Sequence, residues 1–493
     1  MHLLKATGDD GVASEMLKAS GETGVKILHK ICNIIWKSKK WPGSWKKLVM
    51  IALYKKGDSA VCENYRTLSL ISHASKVLLN IIVKRIEQSY ETELNINQAG
   101  FRRGVGTRDQ IFNLQQIIEK YLENGKPIYA LFLDYSKAFD SVSHIGLWKI
   151  LKKLNTPSHI IQLFQSLYED CTAVVRLNCG TTDDININRG VRQGCPASPI
   201  LFNLYTEQIV RESADRCEQG LKVSGKLINN LRYADDTVLL AESQEGLQEL
   251  ADTVNGAGVK RDLHLNIKKT KAMVITKNNE NCTIRINSRP IDCVDRFVYL
   301  GGVVTKNGDT AEMIKTRICS AKARFTDFDS VWKDKDLALK LKINILTTVI
   351  WPVALYGCEA WTIKKEDERR IEAFEMWGLR RILGVHWSQH ISNEEVLRRC
   401  NMRRMLFNTM KTRKLRYFGH LIRSDSFQRE MMEGYVEGRR GVGRPRKKWT
   451  DDILQWTGRG SLGAVRREAR DRYNWRRILR THVGNPQQLR TLP

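Results

Sequence analysis

Two adjacent carboxylates inside an apolar run constrain this chain more than any other feature. The run is "LRYADDTVLLA", residues 231–241, with Asp235 and Asp236 at its centre. Neighbouring like charges repel each other and resist leaving water, so the pair costs stability unless a cation or hydrogen bonds neutralise it. The apolar flanks predict two short strands joined by a tight turn, with both acids at the tip of the hairpin.

The chain contains three other Asp-Asp pairs, and each has an ordinary structural explanation. The pairs at 9–10 and 183–184 lie in turns rich in Gly and Thr, and the pair at 451–452 is typical of the first turn of a helix. Only the pair at 235–236 is bracketed by apolar residues on both sides. Because hairpin turns also favour Asp, the flanks alone leave a structural and a functional interpretation open.

Hydrophobic periodicity predicts strands that alternate with helices. Helical spacing of apolar residues predicts helices over residues 14–37 and 74–90, with a strand in "LVMIALY" between them. A strand is predicted from Ile128 to Leu133. The sequence becomes polar at Asp134, and an amphipathic helix is predicted from about His144. This pattern indicates an α+β fold, in which a sheet carries helices on one face.

Asp134 supplies the further carboxylate that a functional interpretation of the hairpin needs. If its strand lies beside the hairpin strands in one sheet, their ends converge, and Asp134, Asp235 and Asp236 face one point. Mg²⁺ takes oxygen ligands, usually one or two carboxylates together with substrate phosphates. Two such ions roughly 3.5 to 4 Å apart can clamp the attacking and departing oxygens of a phosphoryl displacement. A metal would then relieve the repulsion.

The charge of the chain favours a polyanionic partner. The formal net charge is +27, and residues 364–493 hold 31 Lys and Arg against 15 Asp and Glu. Nucleic acid is the simplest partner, although a ribosomal or chromatin protein would show the same bias. Within this region "GRRGVGRPRKKW", residues 438–449, is rich in Gly and Arg and is interpreted as an exposed linker or arm.

Cysteine spacing and hydropathy indicate an intracellular protein without a membrane partner. The eleven cysteines form no C-x-x-C pair, so neither a zinc ribbon nor a disulfide framework is indicated. The start lacks a basic stretch followed by an apolar run, and no apolar segment reaches the length of a membrane span. We expect a location in the nucleus, the cytoplasm or both.

Several blocks resemble one family. "FLDYSKAFDSV", "RGVRQGCPASPILFNLY", "RYADDTVLLAES", "LNIKKTKAMVI" and "FVYLGGVVT" resemble, in order, the palm motifs of reverse transcriptases of LINE-type (non-LTR) retrotransposons. Upstream, "ALYKKGDSAVCENYRTLSLIS" and "NQAGFRRGVGTRDQIF" resemble the fingers of that family. Downstream, "LYGCEAWT", "RRILGVHW", "FGHLIR" and "GRPRKKW" resemble its thumb and tail. A single YADD is a weak signal, but seven or more blocks in the order of the family are a specific one.

The resemblance implies a right-hand polymerase with an antiparallel palm sheet packed on helices. The implied domains are fingers at 1–125, a palm with inserted finger and loop elements at 126–304, a helical thumb at 305–380, and a basic, mostly helical region with a Gly/Arg-rich arm at 381–493. The implied function is an RNA-directed DNA polymerase that uses an RNA template, a DNA primer or target and deoxynucleoside triphosphates. In its reaction the primer 3′-hydroxyl attacks the α-phosphate and pyrophosphate leaves.

The resemblance also implies roles for individual residues. Asp134, Asp235 and Asp236 would be catalytic and would hold two Mg²⁺ ions, with Mn²⁺ as a substitute, and Lys269 would protonate the leaving pyrophosphate. The implied nucleotide-binding residues are Lys56, Arg66, Phe139, Gln193 and Gly194, where the ring of Phe139 would act as the steric gate against a 2′-hydroxyl. The implied primer grip is Tyr299, Leu300, Gly301 and Gly302. The implied nucleic-acid-binding arm is Arg444, Arg446, Lys447 and Lys448.

Simpler explanations stay open for several of these positions. Phe139 could be an ordinary core aromatic, and Asp140 is expected to cap a helix rather than to bind a ligand. Lys56 and Arg66 could be solvated surface charges. The basic arm could equally be a solvated segment or a nuclear address.

The sequence also departs from the pattern of the family, and rival functions remain. "KATGDDG" stands where the family has "KAPGPDG", and Thr67 and Ala197 replace the usual Pro and Leu. The endonuclease that normally precedes the polymerase is expected to be absent, as in a truncated element. The alternatives are a catalytically inactive nucleic-acid-binding relic, against which the three Asp residues argue, and a palm-fold enzyme such as a nucleotide cyclase, against which "RQGCP" and the basic fingers argue.

Overall fold

The computed structural model describes residues 4–55, 57–177, 179–278, 280–440 and 443–483. The strands are β1 (Leu48–Tyr54), β2 (Tyr65–Leu70), β3 (Ile128–Leu133), β4 (Thr172–Leu177), β5 (Gly180–Thr181), β6 (Ile185–Asn186), β7 (Leu221–Val223), β8 (Lys226–Ile228), β9 (Asn230–Tyr233), β10 (Asp236–Ala241), β11 (Lys271–Ile275), β12 (Arg285–Ile286), β13 (Arg289–Pro290), β14 (Arg296–Tyr299) and β15 (Gly302–Thr305).

The α-helices are α1 (Ser14–Ala19), α2 (Gly21–Ser38), α3 (Gly43–Lys46), α4 (His73–Glu91), α5 (Thr107–Glu123), α6 (His144–Lys153), α7 (Ser158–Tyr168), α8 (Ser198–Glu212), α9 (Gln244–Val259), α10 (Ala311–Thr326), α11 (Asp329–Lys333), α12 (Leu339–Ile345), α13 (Trp351–Ala354), α14 (Lys365–Ile382), α15 (Asn393–Arg399), α16 (Leu406–Arg423), α17 (Phe427–Glu433), α18 (Trp449–Thr457), α19 (Leu462–Arg470) and α20 (Arg472–Val483). A π-helical turn over Leu346–Ile350 joins α12 to α13, and 3-10 helices span Cys62–Asn64, Ala138–Ser141, Ala214–Arg216, Cys358–Ala360 and Trp387–Gln389. Among the described helices none combines the length and the apolarity needed to cross a bilayer.

The elements predicted from periodicity are confirmed. The run from Ile128 to Leu133 forms β3, and the amphipathic stretch after it begins as α6 at His144. The stretch 74–90 forms α4, which starts where the Ser72 hydroxyl accepts a hydrogen bond from the Ser75 amide. The stretch 14–37 forms two helices, because the backbone at Gly21 has a positive φ of +57° that breaks the helical path.

A four-stranded antiparallel sheet lies at the centre of the fold, in the order β11, β3, β10 and β9. We call it the central sheet. Leu131 and Leu239 point to the face covered by α9, whereas Phe132 and Leu240 point to the face that packs with α5. The prediction of helices on one face is therefore wrong. Because successive residues of β3 and β10 are apolar, both faces must be buried.

A second sheet joins sequence-distant strands in the N-terminal half. In this N-terminal sheet β1 pairs antiparallel with β2 and parallel with β4, and short β5 and β6 pair with β4. The chain therefore leaves the central sheet after β3, adds β4 to the N-terminal sheet, and returns through α8 to β9. Sequence periodicity predicts β1, but it carries no signal for the pairing of β1 with β4, because these two strands lie more than 100 residues apart.

The helices from α10 onward share one apolar core. This core runs from Met313 of α10 to Leu479 of α20, and α14 crosses the bound predicted at residue 380. It also reaches the first half of the chain, because Phe112 of α5 contacts the rings of Tyr417 and Trp449 edge-on, with centroids 5.1 and 4.9 Å apart. The predicted domain bounds stay a prediction, and α5 connects the central sheet to the C-terminal helices.

A buried ion pair fastens α18 to α16. The Nζ of Lys414 lies 2.5 Å from Oδ2 of Asp452, and both side chains are completely buried. Lys414 also donates to the Trp361 carbonyl at 2.7 Å, and the Ile363 amide donates to Asp452 at 2.9 Å. The second oxygen of Asp452 lies 2.6 Å from Nζ of Lys447. Each charge is paired, which is the condition under which burial of charge is tolerated.

These contacts correct the expectation of an exposed basic arm. Arg446 donates hydrogen bonds to the carbonyls of Asn307 and Gly308 at 2.8 and 3.1 Å. Lys447 binds Asp452, and Nζ of Lys448 lies 2.7 Å from Glu123 of α5. Three of the four predicted arm residues are thus bound within the protein, Lys447 and Lys448 by carboxylates and Arg446 by backbone carbonyls. Arg444 is exposed.

We predict that Asp452→Ala lowers the free energy of unfolding by about 3–5 kcal/mol, because it leaves Lys414 charged and buried without its paired carboxylate. Urea denaturation followed by tryptophan fluorescence measures this change. The matched control is Asp329→Ala, which removes the exposed pair between Asp329 and Lys333 and should cost at most about 1 kcal/mol. Equal costs for the two variants would contradict the role of the buried pair.

Candidate active site

The two carboxylates that opened the sequence lie at a strand-to-strand turn. Tyr233 of β9 pairs with Asp236 of β10, so Ala234 and Asp235 are the two turn residues. The φ of Ala234 is +57°, in the left-handed region that residues with a Cβ rarely adopt. The predicted hairpin is confirmed, and its turn needs support from elsewhere in the chain.

That support comes from the segment before α5. The side-chain oxygen of Gln98 accepts hydrogen bonds from the amides of Ala234 and Gly100 at 2.9 and 2.8 Å. A Cβ at Gly100 would lie 2.2 Å from the Ala234 nitrogen, so only glycine allows this approach. Behind the turn, buried Arg232 pairs with buried Glu207 of α8 at 3.0 Å. Sequence reasoning missed the role of Gln98, although it lies in the quoted block "NQAGF".

The register of the central sheet brings the third carboxylate to the same place. Thr237 of β10 pairs with Leu133 of β3, so Asp134 and Asp236 follow at the same end of adjacent strands. Burial, and then the charges of Asp235 and Asp134, raise the pKa of Asp236 to about 6. Burial is also the main cause that raises the pKa of Asp235 and of Asp134. The register therefore places all three residues at the same end of the central sheet, and the facing of their carboxylates toward one point stays a prediction.

The chemistry of this group fits a hard divalent cation. All its donors are carboxylate oxygens, and the mutual repulsion that raises the pKa of Asp235 and Asp236 is what a cation reverses. Within the described residues no three His, Cys, Asp or Glu side chains are already arranged as ligands of one ion. The strand ends therefore place the three acidic residues next to one another, but among the described residues their side chains do not already surround a single metal position.

Lysines flank the carboxylates on two sides. The Nζ of Lys269 lies 3.8 Å from Oδ2 of Asp134, in a turn held to the end of β3 by a 2.7 Å bond from the Asn266 amide to the Asp134 carbonyl. Burial raises the pKa of Asp134 and of Asp235, and the positive charge of Lys55, at the end of β1, partly offsets this rise. Sequence reasoning selected Lys56, which lies outside the described residues.

The structure brings together Arg66, Gln193 and Gly194, three of the residues to which the resemblance gives a nucleotide-binding role. The Nε of Arg66 donates to the side-chain oxygen of Gln193 at 3.3 Å, and the Ser69 amide donates to the Gln193 carbonyl at 3.0 Å. The φ of Gly194 is +107°, and a Cβ there would lie 2.9 Å from the Ser69 carbonyl. This loop therefore lies directly on β2, and a side chain at Gly194 would push it away.

Phe139 lies between this loop and α8. It is half-buried, and its ring stacks on Phe202 with centroids 4.2 Å apart and an interplanar angle of 10°. The ring of Phe101 contacts it edge-on at 6.2 Å. Asp140 lies inside the 3-10 helix Ala138–Ser141 and not at a helix cap as expected, and its side chain accepts a hydrogen bond from Gln193 at 3.3 Å. Asp140 is thus a site residue whose role sequence reasoning missed.

The predicted primer grip is a second hairpin, formed by β14 and β15. Leu300 and Gly301 are its turn residues, with φ of +49° and +76°. The Tyr299 hydroxyl donates to the Leu231 carbonyl at 3.4 Å, which holds this hairpin against β9. Arg317 of α10 donates to the Gly301 carbonyl, and Tyr356 donates to that of Leu300 at 3.1 Å. The turn therefore lies between the central sheet and the C-terminal helices.

The comparison with known families covers this same part of the chain. Residues 53–304 match the family described as "Reverse transcriptase (RNA-dependent DNA polymerase)", which is just over half of the chain. This chain belongs to the reverse transcriptase family. The match contains all three carboxylates, the hairpin at Asp235 and the turn at Leu300 and Gly301. Reverse transcriptases generally use divalent metal ions, in agreement with the oxygen donors of the site.

Relatives from transposable elements confirm the resemblance to LINE-type reverse transcriptases. The chain is 27% identical over 395 residues to "Probable RNA-directed DNA polymerase from transposon BS" of Drosophila melanogaster. This alignment covers 77% of this chain and 43% of that protein. It is 24% identical over 397 residues to "RNA-directed DNA polymerase from mobile element jockey" of the same species. This alignment covers 78% of this chain and 43% of that protein. The chain thus spans about two fifths of the length of these relatives.

A solved structure gives a more distant likeness. Apo telomerase from Candida tropicalis aligns with 83% of this chain and 73% of its own, at 13% identity and a TM-score of 0.42. Membership of the reverse transcriptase family rests on the match over residues 53–304 and not on this alignment.

The raised pKa of Asp236 predicts that its carboxylate destabilises the free protein at neutral pH. Protonation of a group whose folded pKa is about 6, against 3.8 as the ordinary value, stabilises the fold below pH 4, and this stabilisation is lost as the pH rises through 6. Without divalent ions, Asp236→Asn should therefore raise Tm at pH 8 and leave it nearly unchanged at pH 4.

Thermal unfolding in a chelating buffer measures this effect. Asp183→Asn is the matched control, because Asp183 is an exposed turn residue. A lower Tm of Asp236→Asn at pH 8 would contradict the repulsion among the carboxylates.

Proposed function

We propose that this chain is an RNA-directed DNA polymerase of a non-LTR retrotransposon, which extends a primer 3′-hydroxyl by nucleotidyl transfer. The observation that carries the proposal is the convergence of Asp134, Asp235 and Asp236 at one end of β3 and β10, inside the segment that matches the family. The RNA template, the DNA primer or target and the deoxynucleoside triphosphates are parts of the same proposal.

The three carboxylates would hold two divalent ions, with Mg²⁺ as the expected metal and Mn²⁺ as a substitute. When bound, such ions neutralise charge on the phosphates and make the attacking hydroxyl more acidic. The protein must keep the carboxylates ionised and in place. Lys55 and Lys269 favour ionisation of Asp134, and the hairpin supported by Gln98 holds the other two.

Basic residues around the carboxylates would handle the triphosphate. Lys55 and Arg66, at the ends of paired strands β1 and β2, provide positive charge on the side of the N-terminal sheet. Lys269, 3.8 Å from Asp134, would donate the proton that the departing pyrophosphate takes up. Their positions support an in-line transfer in which positioning and charge do most of the work.

Three further groups would position the substrates. The loop with Gln193 and Gly194 would lie against the base of the incoming nucleotide, and Phe139 beneath it would crowd a 2′-hydroxyl. The turn formed by Tyr299–Gly302 would hold the primer end. Its contacts with both the central sheet and α10 support that role, because they fix the turn on two sides.

The domain assignment belongs to the same proposal. Residues 1–125 and the inserted strands β4 to β6 would form the fingers, 126–304 the palm, 305–380 the thumb and 381–493 a basic C-terminal region. The pairing of β4 with β1 supports the insertion. We also propose that the protein acts in the nucleus, the cytoplasm or both, and that exposed Arg444 contributes to nucleic-acid binding.

We predict Mg²⁺-dependent extension of a DNA primer on an RNA template by the purified chain. Asp235→Asn combined with Asp236→Asn should lower the rate by about 10³-fold or more, because several kcal/mol of transition-state stabilisation are lost. Asp183→Asn, the same change at an exposed turn, should retain the rate. If the wild-type chain and both variants bind the duplex but none extends it, the relic interpretation replaces the polymerase. Failure to bind the duplex would favour a different palm-fold chemistry.

A second prediction concerns Phe139. If the ring crowds a 2′-hydroxyl, Phe139→Val should raise the kcat/KM for ribonucleotides relative to deoxyribonucleotides by at least about tenfold, because a pocket enlarged by a few carbon atoms discriminates less. Single-nucleotide insertion measures the ratio. Phe202→Leu, which alters the partner in the ring stack, is the packing control. A drop in Tm without a change in the ratio would identify Phe139 as a core aromatic only.

A further inference from the structure

The loop at 190–194 is held to the segment after β3 by a dense set of contacts. The Val191 amide donates to the Phe139 carbonyl and the Gly190 amide donates to the Val142 carbonyl, both at 2.8 Å. The ring Nε2 of His144 lies 2.8 Å from the Gly190 carbonyl. The backbone of the loop is therefore fixed to the residues that carry the proposed steric gate.

Glycine makes the approach at Asp140 possible. Gly190 has a φ of +91°, and a Cβ there would lie 2.9 Å from both Cα and the carbonyl oxygen of Asp140. This close packing places the Asp140 carboxylate beside the loop. Its Oδ1 accepts a hydrogen bond from Nε2 of Gln193 at 3.3 Å.

Gln193 is bound at both ends of its amide group. Its NH₂ end donates to Asp140, and its oxygen accepts from the Nε of Arg66 at 3.3 Å. A carboxylate can only accept and a guanidinium can only donate, so these two partners allow a single orientation of the amide. Without Asp140 the amide loses one of the two contacts that determine which way it faces.

We propose that Asp140 is a positioning residue for nucleotide selection. Through Gln193 it orients the loop that faces the incoming nucleotide and connects that loop to Arg66 of the N-terminal sheet. The same loop is bonded to the Phe139 carbonyl through the Val191 amide, so a change in the orientation of the loop also reaches the steric gate. This inference rests on the proposed polymerase function, but the contact itself can be tested without it.

The kinetic test is single-nucleotide insertion with Asp140→Ala and Asp140→Asn. Asp140→Ala should raise KM for the deoxynucleotide about tenfold, the worth of one hydrogen bond to a charged group, and leave kcat within about twofold. It should also weaken discrimination against ribonucleotides. Asp140→Asn retains the accepting oxygen and should restore most of both properties. Asp183→Ala is the control for loss of a carboxylate from an exposed turn. A fall in kcat with unchanged KM and unchanged discrimination would overturn the inference.

The structural test is amide hydrogen exchange of residues 189–195 in the full chain. Exchange should be faster in Asp140→Ala than in the wild type, and close to wild type in Asp140→Asn. Equal exchange in all three proteins would overturn the inference, whether or not the chain polymerises DNA. If the wild type does not extend a primer, the proposed function fails by itself, and the exchange result still decides whether Asp140 positions the loop.

Discussion

Repulsion among three carboxylates at one end of an apolar sheet is the constraint on which the rest of this structure depends. Two unit charges 4 Å apart repel by about 1 kcal/mol in water and by about 4 kcal/mol near a protein surface. Each buried aliphatic side chain contributes about 1.5–3 kcal/mol. Burial of the apolar residues on both faces of β3 and β10 stabilises the sheet against this repulsion. Gln98 and the buried pair of Arg232 and Glu207 keep the hairpin in register.

The site is assembled from segments that are far apart in the chain but held by backbone contacts. Ser69 of β2 binds Gln193, and Val191 binds the carbonyl of Phe139. The N-terminal sheet, the loop and the central sheet thus meet over a few hydrogen bonds. Backbone atoms give this junction its precision, because they have fewer rotatable bonds than the lysine and arginine side chains around it. The glycines at 190 and 194 are required where those backbones touch.

Part of the positive charge of the C-terminal region is neutralised by ion pairs within the protein. Lys414 and Lys447 share Asp452, and Lys448 binds Glu123 of α5. Burial raises the pKa of Glu119 on the same helix to about 7, and its carboxylate accepts a hydrogen bond from the Trp449 amide at 2.7 Å. Composition therefore overstates the basic surface available to nucleic acid. Part of the basic tail fastens the C-terminal helices to α5.

Local sequence determined the elements and the nature of the site. The run from Ile128 to Leu133, the hairpin around Asp235 and the order of the blocks could be read directly, because strand periodicity and motif spacing are properties of neighbouring residues. Tertiary structure alone decided that Lys55 faces the carboxylates, that Gln98 supports the turn, and that Asp140 binds Gln193. These partners lie 50 or more residues apart. Their contacts arise because β4 joins the N-terminal sheet and the chain after α8 returns to the central sheet, and no local pattern encodes this path.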